Sequence, residues 1–211
     1  MNPKSKIQNP KLQIGIEFEK QAIAEGFRFI AGVDEVGRGC LAGAVVAAAC
    51  ILDLSKPLPA FLNDSKKLSE KRRRQIDEEI RQSAVSFSIA QIEAEEIDRI
   101  NILQATKKAM CLAIEKLMPK ADFLLVDAVH LKEINIPQKA IIKGDAISAS
   151  IAAASILAKT YRDDLMQKLA ETYPEYGFEK HVGYGTKAHF EAIKKHGACP
   201  LHRKSFRGVL Q

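Results

Sequence analysis

The chain of 211 residues has no tryptophan, 6% aromatic residues and four cysteines. Cys40, Cys50, Cys111 and Cys199 stand singly, with no C-x-x-C pair, which excludes a disulfide framework and points to free thiols in a reducing compartment. Without paired cysteines beside the histidines, a zinc site is not expected either. There is no P-loop and no G-x-S-x-G elbow, and no repeat at solenoid periods. The longest apolar stretches, Ala42–Leu52 and Ala146–Ala158, fall short of the ~20 residues a bilayer crossing needs. The N-terminal stretch MNPKSKIQNPKLQIG lacks the apolar run of a signal peptide, so a cytoplasmic location with no membrane association is expected.

What is present is ordinary for a globular chain: 46% hydrophobic and 27% charged residues, with a net charge of +6. That balance permits a polyanionic partner without requiring one. Residues 1–26 read as a loose arm and a short helix (Ile16–Glu25) that Gly26 stops. Phe27–Val33, Leu41–Leu52 and Ala84–Ile92 read as strands, with a charged helix over Asp64–Arg81 that Ser69 can cap. A helix over Ile102–Leu117, short strands at Phe123–Val126 and Ala140–Ile142, and a long helix over Ile147–Leu169 follow. The tail from Pro174 has a different composition, with one short helix at Lys187–Lys195. Early strands in a meander and later ones separated by helices or long loops predict a mixed sheet flanked by helices, an α/β fold.

The chemistry lies in acids at the ends of apolar runs. Val33-Asp34-Glu35, Val126-Asp127 and Gly144-Asp145 each place a carboxylate where a buried strand would emerge. Strand ends are where open α/β sheets bind ligands. Four carboxylates meeting there would need cations, and hard oxygen donors suit Mg²⁺ or Mn²⁺. The competing reading is that such acids cap helices or begin turns; Asp145 in particular can be the N-cap of the following helix. The turn Gly37-Arg38-Gly39 allows close backbone approach to a ligand or is simply a tight turn. Its next glycine, Gly43, is one residue too late for the dinucleotide fingerprint. Tyr184, between Gly183 and Gly185, is either an exposed stacking ring or a buried turn residue. The basic run Lys66 to Arg74 meets phosphates or forms a solvated helix face. A nucleic-acid-binding module without catalysis and a nucleotide-cofactor enzyme remain alternatives on these residues alone.

Taken in order, AGVDEVGRG (31–39), LAG (41–43), DSKKLSEKRR (64–73), LLVDA (124–128), KGD (143–145), SIAAASILAKTYRD (150–163) and GYGTKAH (183–189) closely resemble the bacterial type 2 ribonucleases H. The resemblance covers the chain from about Ile30 to Phe206. It implies a ribonuclease H-like five-stranded mixed sheet over residues 27–173 and a C-terminal substrate-binding helical segment over 174–211. It also implies hydrolysis of the RNA strand of RNA–DNA hybrids and incision 5′ to single ribonucleotides in duplex DNA. Such incision leaves 3′-hydroxyl and 5′-phosphate ends, in ribonucleotide excision repair and replication. Carried over, Asp34, Glu35, Asp127 and Asp145 are the catalytic metal ligands, for two Mg²⁺ or Mn²⁺ ions with substrate bound. Gly37, Arg38 and Gly39 read the ribose 2′-hydroxyl, Tyr184 stacks on the sugar beyond the junction, and Ser65 and Lys66 contact phosphate. A monomer is expected. The sequence departs from the family pattern at Cys40 and Ala44, where proline is frequent, and at Ala128, where glycine often follows the acid.

Overall fold

A computed structural model describes residues 14–60, 62, 65 and 68–210. The expectation for Lys66 therefore falls outside the described residues. Five strands, β1 (Ile30–Val36), β2 (Val45–Ile51), β3 (Ser86–Ile92), β4 (Phe123–Asp127) and β5 (Gln138–Ile141), form one sheet in the order β3-β2-β1-β4-β5. The helices are α1 (Glu17–Ala24), α2 (Glu70–Ser83), α3 (Ala94–Ile100), α4 (Ile102–Glu115), α5 (Ala149–Thr172), α6 (Phe178–His181) and α7 (Lys187–His196). β1 pairs antiparallel with β2 and β2 with β3, whereas β4 and β5 add parallel to β1. The α/β mixed sheet with flanking helices is thus the architecture observed.

β2 shows why this sheet has helices on both faces. Its sequence, VVAAACI, carries no polar residue and is buried throughout. Val45, Ala47 and Ala49 pack with Met110, Ala113 and Leu117 of the α4 side, and Val46, Ala48 and Cys50 with Ile76, Ile80, Ala153 and Leu157 of α2 and α5. Small residues let α5 lie very close to the sheet: a Cβ on Gly32 of β1 would collide with the backbone of Ser150. The tail does not stand apart. Tyr176, Phe178, Ile193, Cys199 and Val209 share a cluster with Leu41, Ala42 and Met166. Among the described residues, no helix is long and apolar enough to cross a membrane.

Several boundaries differ from expectation. α2 begins at Glu70, because the Ser69 hydroxyl accepts the Arg72 amide (3.4 Å) and ends the helix there. β2 starts at Val45 rather than Leu41. Gly43 is left-handed (φ 83°), and Cys40 and Ala42 instead make isolated bridges to Tyr184 and His202. β1 runs on to Val36, past the acidic pair, and α3 appears where no element was expected.

Candidate active site

The register of the sheet assembles the acids. β1 and β4 run parallel with Val33 opposite Val126, so the next residues, Asp34 and Asp127, emerge side by side at the same end. Glu35 follows directly. One carboxylate oxygen from each of Asp34, Glu35 and Asp127 lies within 4.8 Å of the others. β5 pairs Ile141 with Asp127, and the chain then turns through left-handed Lys143 (φ 57°) into a one-turn 3-10 helix, Gly144–Ala146. The Gly144 amide donates to Asp127 Oδ1 (2.7 Å), which brings the buried Asp145 segment against the cluster. Asp145 itself is not within the group of three. Nor does it cap α5: that cap is Ser148, whose hydroxyl accepts the Ile151 amide. The helix-cap alternative for Asp145 therefore does not hold.

The electrostatics are those of a pocket short of positive charge. Burial, then the charges of Glu35 and Asp127, push the Asp34 carboxyl well above the usual carboxylate range, against hydrogen bonds from Ser155 and the Glu35 amide. Burial also raises Glu35, opposed chiefly by Arg38, whose guanidinium lies 3.2 Å from Oε1. Glu35 Oε2 is buried and has no hydrogen-bond partner among the described residues. Three converging carboxylates with one orphaned oxygen match the donor chemistry of a hard divalent cation, whose charge would offset the repulsion.

Gly37, Arg38, Gly39 and Tyr184 lie on two turns that the fold brings together. The bridge between Cys40 and Tyr184 sets the Gly37-Arg38-Gly39 turn beside Tyr184, and the Leu41 amide donates to the Gly183 carbonyl (2.8 Å). Gly37 is left-handed (φ 90°), and a Cβ there would strike the Arg162 guanidinium; a Cβ on Gly39 would meet open space. Tyr184 is exposed (42%). Ser65 is buried, with its hydroxyl on that of Ser155 (2.9 Å).

Three further residues support the site; Ser155 and Arg162 lie within the 150–163 motif without being marked there as site residues, and Arg203 lies in none of the motifs. Arg203, fully buried, donates to the Gly43 carbonyl from Nε and Nη2 and to the Arg38 carbonyl from Nη1 (2.9–3.0 Å). Because a trans peptide directs its C=O and N–H oppositely, this grip turns the Gly39 amide away from Arg203. Arg162 holds the carbonyls of Ala42, Ala44 and Val182 and thereby secures Val182, a β-branched residue at φ 42°. Ser155 links Asp34 to Ser65.

A mixed sheet in this order, with acids gathered at the ends of its first and fourth strands, defines a ribonuclease H-type hydrolase. The family model for ribonuclease HII matches residues 31–209, and the chain belongs to that family. It is 57% identical over 195 residues to the ribonuclease HII of Chlamydia abortus, covering 92% of this chain and 91% of the relative. The crystal structure of ribonuclease H2 from Pyrococcus horikoshii OT3 superimposes with a TM-score of 0.71 at 25% identity, over 86% of this chain and 95% of that one. The Mn²⁺ complex of Bst-RNase HIII shares the fold (TM-score 0.65, 18% identity, 86% and 68% coverage).

Proposed function

We propose that this endonuclease hydrolyses the RNA strand of RNA–DNA hybrids and incises 5′ to single ribonucleotides embedded in duplex DNA, leaving 3′-hydroxyl and 5′-phosphate ends. The observation that carries the reading is the convergence of Asp34, Glu35 and Asp127 within 4.8 Å, beside a turn that can read a sugar. Asp145 joins them as the fourth ligand for two Mg²⁺ or Mn²⁺ ions taken up with substrate. When bound, such ions supply the Lewis-acid charge that activates water and stabilises the departing 3′-oxygen. The chain's own residues do the rest. Arg38 and its flanking glycines present backbone groups to the ribose 2′-hydroxyl, which distinguishes RNA from DNA. Tyr184 stacks on the sugar beyond the junction, and Ser65 and Lys66 meet a flanking phosphate. With the Ser65 hydroxyl committed to Ser155, that contact falls to its backbone amide. No side chain forms a covalent bond, since water is the nucleophile.

On this reading residues 27–173 are the catalytic unit and 174–211 the substrate-binding segment. The protein acts as a cytoplasmic monomer in ribonucleotide excision repair and replication. Incubation with an end-labelled duplex carrying one ribonucleotide, in Mn²⁺, should give a single cut with the stated ends, and an all-DNA duplex should stay intact. Asp34→Asn should abolish cutting; near-normal turnover in that variant would refute the assignment. Tyr184→Ala should reduce incision at the single ribonucleotide by about tenfold, the scale of a modest positioning loss, with a smaller change in duplex affinity. Equal losses in both measurements would count against a positioning role.

A further inference from the structure

Beneath Tyr184 lies a group of buried imidazoles that the chemistry above does not use. His189 and His202 are buried, with Nε2 of each 3.1 Å from the other. The Cys199 amide donates to His202 Nδ1 (3.0 Å), so that nitrogen is an acceptor. His202 must then carry its proton on Nε2 and donate it to His189 Nε2. His189 in turn carries its proton on Nδ1, which lies 2.9 Å from the Tyr184 carbonyl. His181 stacks on His189 (centroids 4.4 Å apart, planes at 19°). It accepts the Gly183 amide at Nδ1 (3.3 Å), which assigns its proton to Nε2, 2.9 Å from the Tyr176 carbonyl. The Tyr184 amide donates to the His181 carbonyl (2.9 Å), and the Thr186 amide adds a second donor to the Tyr184 carbonyl (2.8 Å). Phe178 closes the cluster edge-on to His189 and His181.

We propose that this imidazole relay, Cys199 N–H to His202 to His189 to the Tyr184 carbonyl, is the positioning device for Tyr184, and that it tunes incision at isolated ribonucleotides. The proposal rests on the stacking role given to Tyr184 above. The physical reason is directional. Tyr184 is exposed and sits between two glycines, in a turn that follows the strained Val182. A ring on such a turn holds one orientation only if its backbone is pinned on both sides. Here Gly183 N, Tyr184 N and Tyr184 O are each pinned by one of two stacked histidines. The whole chain of bonds has one self-consistent proton arrangement with all three rings neutral. Protonating His202 would set Nδ1–H against the Cys199 N–H, and burial does lower the affinity of both His189 and His202 for a proton.

Two measurements on the full-length protein test this. Long-range ¹H–¹⁵N correlation of the histidine rings at pH 7.5, assigned with His189→Asn and His202→Asn, should show His189 in the Nδ1–H form and His181 and His202 in the Nε2–H form. His189 in the Nε2–H form would overturn the relay. In kinetics, His189→Leu should lower kcat at a single ribonucleotide by about tenfold, as expected for a misplaced contact. The loss on a long RNA–DNA hybrid should be at least threefold smaller. His189→Asn, whose amide can replace the Nδ1–H donor, should recover most of the activity. Equal losses on both substrates, with no recovery in His189→Asn, would reduce the cluster to packing and sink the positioning role. Wild-type protein that cuts neither substrate would instead overturn the reading of Tyr184, a failure the ring tautomers distinguish because they do not depend on substrate.

Discussion

Two single residues in the pocket are held against their own preference, and each makes a prediction. Asp34 is buried beside two further carboxylates and its proton affinity is raised, so its charge destabilises the metal-free fold. Asp34→Asn keeps an oxygen for the Glu35 amide and removes that charge. The metal-free variant should therefore unfold at a higher urea concentration than wild type while losing turnover, the trade expected where function imposes strain. A lower midpoint would mean that repulsion is not what the pocket stores. Ala128, immediately after Asp127, is left-handed (φ 53°). That conformation costs an L-residue roughly 1–2 kcal/mol, whereas glycine loses roughly 0.5–1 kcal/mol more chain entropy on folding. Sterics win, and Ala128→Gly should stabilise by about 0.5–1 kcal/mol in urea titration. Destabilisation would show that the alanine methyl makes compensating contacts.

At the scale of elements, the acids were legible and their supports were not. Asp34 and Asp127 each follow a run of buried aliphatic residues, a pattern visible along one stretch of chain, and parallel pairing of those two runs suffices to align them. Arg203 reaches Gly43 across 160 positions and Ser155 reaches Ser65 across 90, through side-chain bonds that leave no periodic trace. α3 escaped because it is only seven residues long and rich in acids. The charge pattern that predicts a helix from Asp64 does not mark its first turn; the Ser69 cap does, and α2 begins at Glu70. The close approach of α5 to β1 was legible only as small residues, Gly32 on one side and an alanine-rich helix on the other. That contact is tight enough to test. Gly32→Ala would drive a methyl into the Ser150 backbone, and since backbone cannot rotate aside, the cost should be at the upper end of the 1–3 kcal/mol that overpacking usually brings, about 3 kcal/mol. Because β1 also carries Asp34 and α5 carries Ser155, Mn²⁺ affinity should fall together with stability; a variant as stable as wild type would mean the two elements can part without loss.

For the whole molecule, two buried titratable clusters pull stability in opposite directions as pH falls. In the metal-free protein, the raised carboxyls of Asp34 and Glu35 bind protons more readily folded than unfolded. Acidification through their folded range therefore relieves the pocket. The histidines do the reverse. Burial lowers His189 from 6.5 to about 4, and His202 also falls below its usual value. Between pH 6.5 and about 4 the unfolded chain binds more protons at these rings than the fold does, so their contribution to stability is present at neutral pH and is lost as pH drops through that window. The two contributions separate by substitution. His189→Asn should flatten the acid-side loss, so that its urea midpoint changes less between pH 7 and 4.5 than that of wild type. Asp34→Asn should steepen the loss, because the compensating relief is gone. Midpoints for His189→Asn that run parallel to wild type across that interval would show that the ring takes up its proton without disturbing the fold, and with it that the hydrogen bond to Tyr184 survives a charged imidazole.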